Sequence, residues 1–209
     1  MFSPAKADQI SMIEDSGVAI MIGDQPTCSG TIVATLGTTE VIVTAAHCFR
    51  DEDNPAPTSV KFFDGDWGRI VHDDEAENTD VALVLVQSMR RHQPMMIDHG
   101  SLRRLDPVVI FGLPGGQMWT MSRGYALQGS KYPVAIDYPP DQEEAFPWSD
   151  AWEIDCSDCT SGSSGGGVFS KRGLIGIVVG HNPDIPNHEY IEPIQDAIDL
   201  VRLVESAAP

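Results

Sequence analysis

What most limits the fold open to this chain is a series of short apolar, β-branched runs at 17–22, 31–36, 41–45, 60–63, 81–86, 108–111 and 175–179, many bounded by Gly, Pro, Asp or Asn. Runs this short suit strands joined by turns better than helices. The segment LGTTEV at 36–41, between two such runs, reads as a hairpin. An all-β fold is expected. The exception is the C-terminus, where Pro193 is a candidate first helical residue and Ile194, Ala197, Ile198, Val201 and Val204 fall on one face at helical spacing. Residues 1–16 read as a loose arm or a short helix. Residues 131–150, rich in proline and acids, read as a long surface loop.

Composition narrows the function. With 209 residues, 42% of them apolar, the chain can bury a sizeable core in one large or two small units. No stretch has the roughly 18 consecutive apolar residues of a membrane span, so no membrane insertion is expected. The first residues, MFSPAKADQISMIEDSG, lack the basic, apolar, small-residue order of a signal peptide, and an export signal is expected to be either already removed or absent. The 31 acidic residues against 13 basic ones give a formal charge of −18, which repels phosphate backbones and argues against nucleic acid as a partner.

The four cysteines form two close pairs, Cys28 with Cys48 and Cys156 with Cys159. Such pairs permit disulfides without requiring them. Cys156-Ser-Asp-Cys159 also has the spacing of half a zinc site, but no second such cluster completes it. Asp64, Asp66 and the acids at 73–77 do not have the spacing of a calcium loop. No cofactor and no metal are expected.

Three segments carry chemistry. In CSGTIVATLGTTEVIVTAAHCF, residues 28–49, a strand, a turn and a second strand end at His47, beside two alanines that leave room for a substrate. A histidine so placed suits a general base, and a bond between Cys28 and Cys48 would clamp the hairpin that carries it. In NTDVALVLV, residues 78–86, Asp80 stands at the mouth of an apolar strand, where a carboxylate can accept a hydrogen bond from an imidazole and orient it. In CTSGSSGGGVF, residues 159–169, two serines lie among glycines. A serine hydroxyl needs a base and converging backbone N–H groups to act as a nucleophile, and glycines let the backbone turn sharply enough to supply them. Taken singly, each segment also has a plain structural reading: a strand-end histidine, a capping aspartate, a flexible loop.

Together they resemble the chymotrypsin-like (trypsin-like) serine peptidases, marked by a TAAHC segment, a D-[IV]-A-L strand and a G-x-S-G-G loop. Here these read Thr44-Ala45-Ala46-His47-Cys48, Asp80-Val81-Ala82-Leu83 and Gly162-Ser163-Ser164-Gly165-Gly166. The order His, Asp, Ser is that family's order. The resemblance implies two six-stranded antiparallel β-barrels with a C-terminal helix: an arm over 1–16, a first barrel over 17–105, a second over 106–192, and a helix and tail over 193–209. It implies Ser164 as nucleophile, His47 as proton shuttle, Asp80 as its orienter, and the amides of Gly162 and Ser164 as the oxyanion hole. A monomer acting on proteins or peptides, secreted or periplasmic, is the expectation. Two free thiols at Cys28 and Cys48 would instead favour the cytoplasm.

The chain departs from the family pattern in three places. Members activated by proteolysis usually carry Asp just before the nucleophile, where this chain has Ser163, which cannot pair with a new N-terminal amine. Asp158 stands at the position that selects Arg or Lys at P1, yet His181 and His188 fall near positions lining the same pocket, which leaves acidic or small apolar P1 residues as alternatives. The family's usual bridge beside the nucleophile reaches a later loop, and no later cysteine exists here, so Cys156 and Cys159 either bridge each other or stay reduced. A catalytically silent peptide-binding module on the same fold is the competing reading, and the retention of all three triad residues argues against it.

Overall fold

A computed structural model describes residues 4–50, 55–75, 79–116, 118–127, 132–134, 149–156, 159, 163–181, 185 and 187–198. The chain opens with helix α1 (Pro4–Ser16), one of the two forms expected for the N-terminal arm. It then runs through β1 (Gly17–Ile22), β2 (Gln25–Leu36), β3 (Thr39–Ala45), β4 (Ser59–Phe62), β5 (Trp67–Glu75) and β6 (Val81–Ser88). These six antiparallel strands close into a barrel in the order β1-β2-β3-β6-β5-β4. Its interior is filled by β-branched and aromatic side chains, among them Val18, Ile20, Ile32, Val43 and Phe62, all with no exposed surface. The hairpin read from LGTTEV is present, turning at Gly37 with φ 66°.

The second half supplies β7 (Pro107–Gly112), β8 (Thr120–Ala126), β9 (Tyr132–Val134), β10 (Ser149–Asp155), β11 (Gly167–Ser170), β12 (Gly173–His181) and β13 (His188–Pro193). Their order is β13-β12-β11-β7-β8-β10-β9, and pairing of β13 with β10 closes six of them into a second barrel, with β9 added outside on β10. The expected all-β architecture of two six-stranded antiparallel barrels is what the chain forms.

Three sequence expectations need correction. Strand β5 is one that no short apolar run marks: most of its described side chains point to solvent, while Gly68 and Ile70 are among the few turned inward. Its pairing partners, not its composition, make it a strand. The 131–150 loop contains strand: Tyr132–Val134 pairs with residues 149–151, and 135–148 lie outside the described residues. Pro193 ends β13 with ψ 136° and caps a 3₁₀ turn, Ile194–Ala197, before the backbone becomes helical at Ile198. The rest of the expected C-terminal helix lies outside the described residues.

The connection between the barrels is pinned rather than loose. Met95 N–H donates to Ile32 C=O (2.8 Å) and Asp98 N–H to Leu174 C=O (2.7 Å). The buried Asp98 carboxylate accepts from the Ser170 hydroxyl, the Gly100 amide (2.9 Å) and the Arg172 guanidinium (3.0 and 3.1 Å). Burial alone would raise its pKa, but the bonds from Ser170 and Gly100 and the Arg172 charge together hold it below the ordinary value.

Candidate active site

The register of β3 against β6 brings the first two site residues together. Val43 pairs with Leu83 and Ala45 with Val81, so the residue before β6, Asp80, falls beside the 3₁₀ turn Ala46–Phe49 that follows β3. Asp80 is 1% exposed and uses both carboxylate oxygens on one neighbour: Oδ1 accepts from the His47 amide (2.8 Å) and Oδ2 meets His47 Nδ1 (2.6 Å). Its own carbonyl accepts from the Ala46 amide (3.1 Å). Three contacts within one turn fix both the backbone and the ring of His47. A carboxylate accepts only, so Nδ1 carries the proton and Nε2 is left as the basic nitrogen. The Cys28–Cys48 disulfide ties the following residue back to β2.

The serine segment is a tight turn whose conformation requires glycine. Gly166 N–H donates to Ser163 C=O (2.7 Å), Ser164 occupies the second position, and Gly165 the third with φ 75°, the pattern of a type II turn. A Cβ at Gly165 would lie 2.2 Å from both Ser29 C=O and Thr44 Oγ1. The turn is therefore packed against the end of the strand that delivers His47, across the junction of the two barrels. Behind it, Gly165 N–H donates to Val178 C=O (2.7 Å) and Val178 N–H to Gly166 C=O (2.9 Å), which anchors the turn to β12.

Sequence reasoning missed the residue that joins these parts. Ser29, fully buried in β2, donates its amide to Ser164 C=O (2.8 Å), accepts the Thr44 hydroxyl at its carbonyl (2.7 Å), and accepts the Leu113 amide at its hydroxyl (2.9 Å). It thus contacts the serine turn, the histidine strand and the end of β7 at once. Nothing in the run Cys28-Ser29-Gly30 separates this serine from any other strand serine; only partners such as these do.

The residues expected to line the specificity pocket are less closely gathered. His181 ends β12, exposed, with its backbone opposite Glu189 of β13; His188 begins β13 opposite Asp155. His188 Nδ1 lies 2.7 Å from Glu153 Oε1, a partner that the sequence offered no reason to single out. Glu189, next to it, is 5% exposed, and burial pushes its carboxyl up to about 7. Cys156 and Cys159 are bridged to each other, the first of the two alternatives left open. Asp158 and Gly162 lie outside the described residues.

The profile of the trypsin-like peptidase domain matches residues 28–180, a span holding His47, Asp80 and Ser164. No curated protein sequence matches the chain significantly. Among solved structures, an inactive-form mutant of Rv3671c from M. tuberculosis H37Rv superposes with TM-score 0.73 and 16% identity, over 99% of this chain and 96% of that one. The serine endoprotease from Yersinia pestis gives TM-score 0.71 and 16% identity, over 99% and 68%. The active form of the M. tuberculosis Rv3671c protease gives 0.69 and 16%, over 96% and 86%. At such identities the structures testify to the fold, while the profile covers well over half of the chain. Barrel pair, ordered motifs and profile agree: the chain belongs to the family of trypsin-like peptidases and is by class a serine endopeptidase.

Proposed function

We propose that the protein hydrolyses peptide bonds through an acyl-enzyme on Ser164, with His47 as general base and acid and Asp80 as the group that orients His47. The observation that carries this reading is the double grip of Asp80 on His47, in the turn that follows β3, the strand against whose end the Ser164 turn is packed. In the first step the Ser164 hydroxyl adds to the scissile carbonyl while Nε2 of His47 takes its proton. Asp80 stabilises the imidazolium that results without itself taking the proton. The tetrahedral oxyanion is met by the amides of Gly162 and Ser164. His47 then returns the proton to the leaving amine, the C–N bond breaks, and water repeats the sequence on the ester.

Asp158 is proposed to select Arg or Lys at P1 by direct charge pairing, with His181 and His188 bordering the same pocket. The two disulfides suit an oxidising compartment, which favours a secreted or periplasmic site of action. The protein is proposed to work as a monomer.

A fluorophosphonate probe tests the mechanism. The wild type and Ser163→Ala should label, and Ser164→Ala should not. Labelling that persists in Ser164→Ala removes Ser164 as nucleophile, and a wild type that never labels turns the reading toward a silent binding module. A fluorogenic peptide library read across pH tests the pocket: no cleavage after Arg or Lys at any pH removes the proposed role of Asp158.

A further inference from the structure

Outside the peptidase machinery, the ring of His92 is buried without a hydrogen bond to either of its nitrogens. This residue follows β6 in the connection between the barrels, its side chain is 7% exposed, and its ring stacks on Phe62 with centroids 3.8 Å apart. Both ring nitrogens are buried and lack a hydrogen-bond partner. Leaving such groups unpaired costs about 1–3 kcal/mol each. Each nitrogen nevertheless faces a carboxylate: Nδ1 is 3.5 Å from Glu40 Oε1, and Nε2 is 3.7 Å from Asp64 Oδ2.

The two sides of the ring differ. Glu40 is 1% exposed and held in place, accepting the Thr35 hydroxyl at Oε2 (2.6 Å) and the His92 amide at Oε1 (3.0 Å). It is a fixed acceptor for an Nδ1 proton. On the Nε2 side, Asp64 and Asp66 come from the short turn between β4 and β5, and one ligand atom from each of Asp64, Asp66 and His92 lies within 4.8 Å of the others. A cavity of about 550 Å³, lined by Asp15, Thr35, Asp64 and His92 among others, opens beside them.

We propose that Asp64, Asp66 and Nε2 of His92 bind a divalent transition-metal cation of the Zn²⁺ type, with Glu40 holding the His92 tautomer from behind. A ligating histidine commonly donates its other N–H to a carboxylate, which orients the ring and raises its basicity, and Glu40 is placed for that. One imidazole and two carboxylates suit Zn²⁺ or Mn²⁺, whereas Ca²⁺ takes oxygen ligands and gains little from the ring. Ligands at zinc distances stand about 3.4 Å apart, so the three groups need close by only about an ångström, within the reach of a surface turn. Water from the cavity completes the coordination. The guanidinium of Arg90, 3.2 Å from Asp64 Oδ2 and from Asp66 Oδ2 and itself 64% exposed, is the cation that the metal displaces. The bound ion ties the β4–β5 turn of the first barrel to the connection that leads to the second.

The test is calorimetric titration of the chelator-dialysed full chain with ZnCl₂, MnCl₂ or CaCl₂, with thermal unfolding as a second readout. One saturable Zn²⁺ equivalent that raises the melting temperature is expected, with Ca²⁺ bound at least about tenfold more weakly. His92→Gln should weaken that equivalent by about tenfold or more, while Arg90→Ala should tighten it by removing the competing cation. Should His92→Gln not fold, Asp66→Asn on the exposed turn takes its place. A chain without saturable binding overturns the proposal. So does Zn²⁺ binding that neither His92→Gln nor Asp66→Asn changes, or Ca²⁺ binding as tight as that of Zn²⁺.

Discussion

The amide of Ser29 donates to the carbonyl of Ser164 at 2.8 Å, so a buried residue of the first barrel holds the backbone of the candidate nucleophile, which belongs to the second. The same residue receives Thr44, three positions before His47. The two halves of the site are thereby set against each other through the backbone of one buried residue rather than by loops free to drift.

Ser29→Ala removes the acceptor of the Leu113 amide, which is buried with its residue. The expected loss is about 1–3 kcal/mol of stability, measured by urea unfolding. The Ser29–Ser164 backbone bond survives the substitution, so activity per folded molecule should fall far less than in Ser164→Ala.

Gly165→Ala places a methyl group 2.2 Å from two oxygens, at a φ that costs an L-residue about 1–2 kcal/mol even without the contacts. The turn must shift away from Thr44, and probe labelling should become nearly undetectable while far-UV circular dichroism stays native. Labelling at the wild-type rate would show that the turn tolerates the shift.

Asp80→Asn keeps the shape of the side chain but offers the ring an amide that can bond to the other tautomer. Turnover of a fluorogenic peptide should fall by roughly four orders of magnitude at neutral pH. A fall of less than about tenfold would mean that Asp80 serves the fold alone.

Glu189 predicts a slope in stability. Its carboxyl titrates near the ordinary 4.5 when unfolded and at about 7 in the fold, where burial favours the neutral form. Between these values the folded chain holds a proton that the unfolded chain has released. This contribution is therefore fully present below about 4.5, is lost as pH rises through about 7, and is on the order of 3 kcal/mol. Urea unfolding at about pH 5 and about pH 8 should show a difference that Glu189→Gln reduces.

Cys28→Ser with Cys48→Ser releases a disulfide closing a 20-residue separation. The expected cost is about 3 kcal/mol. Since the bridge anchors the turn that presents His47, activity should decline at temperatures well below those that unfold the rest. Identical thermal inactivation of the double variant and the wild type would show that the Asp80 contacts suffice.

By itself, the sequence determined the strand-forming runs, the ordered His47, Asp80 and Ser164 motifs, and the need for glycine around the serine, because each is a local property: alternation, a side chain's chemistry, a backbone angle. Strand β5 was not legible, since a strand with few inward apolar residues owes its existence to the neighbours that pair with it. Nor were Ser29, Glu153 and the His92 environment, whose roles arise from partners up to 135 positions away, as between Ser29 and Ser164. Only the tertiary structure decided those, because barrel closure, not any local preference, chooses which buried polar groups meet.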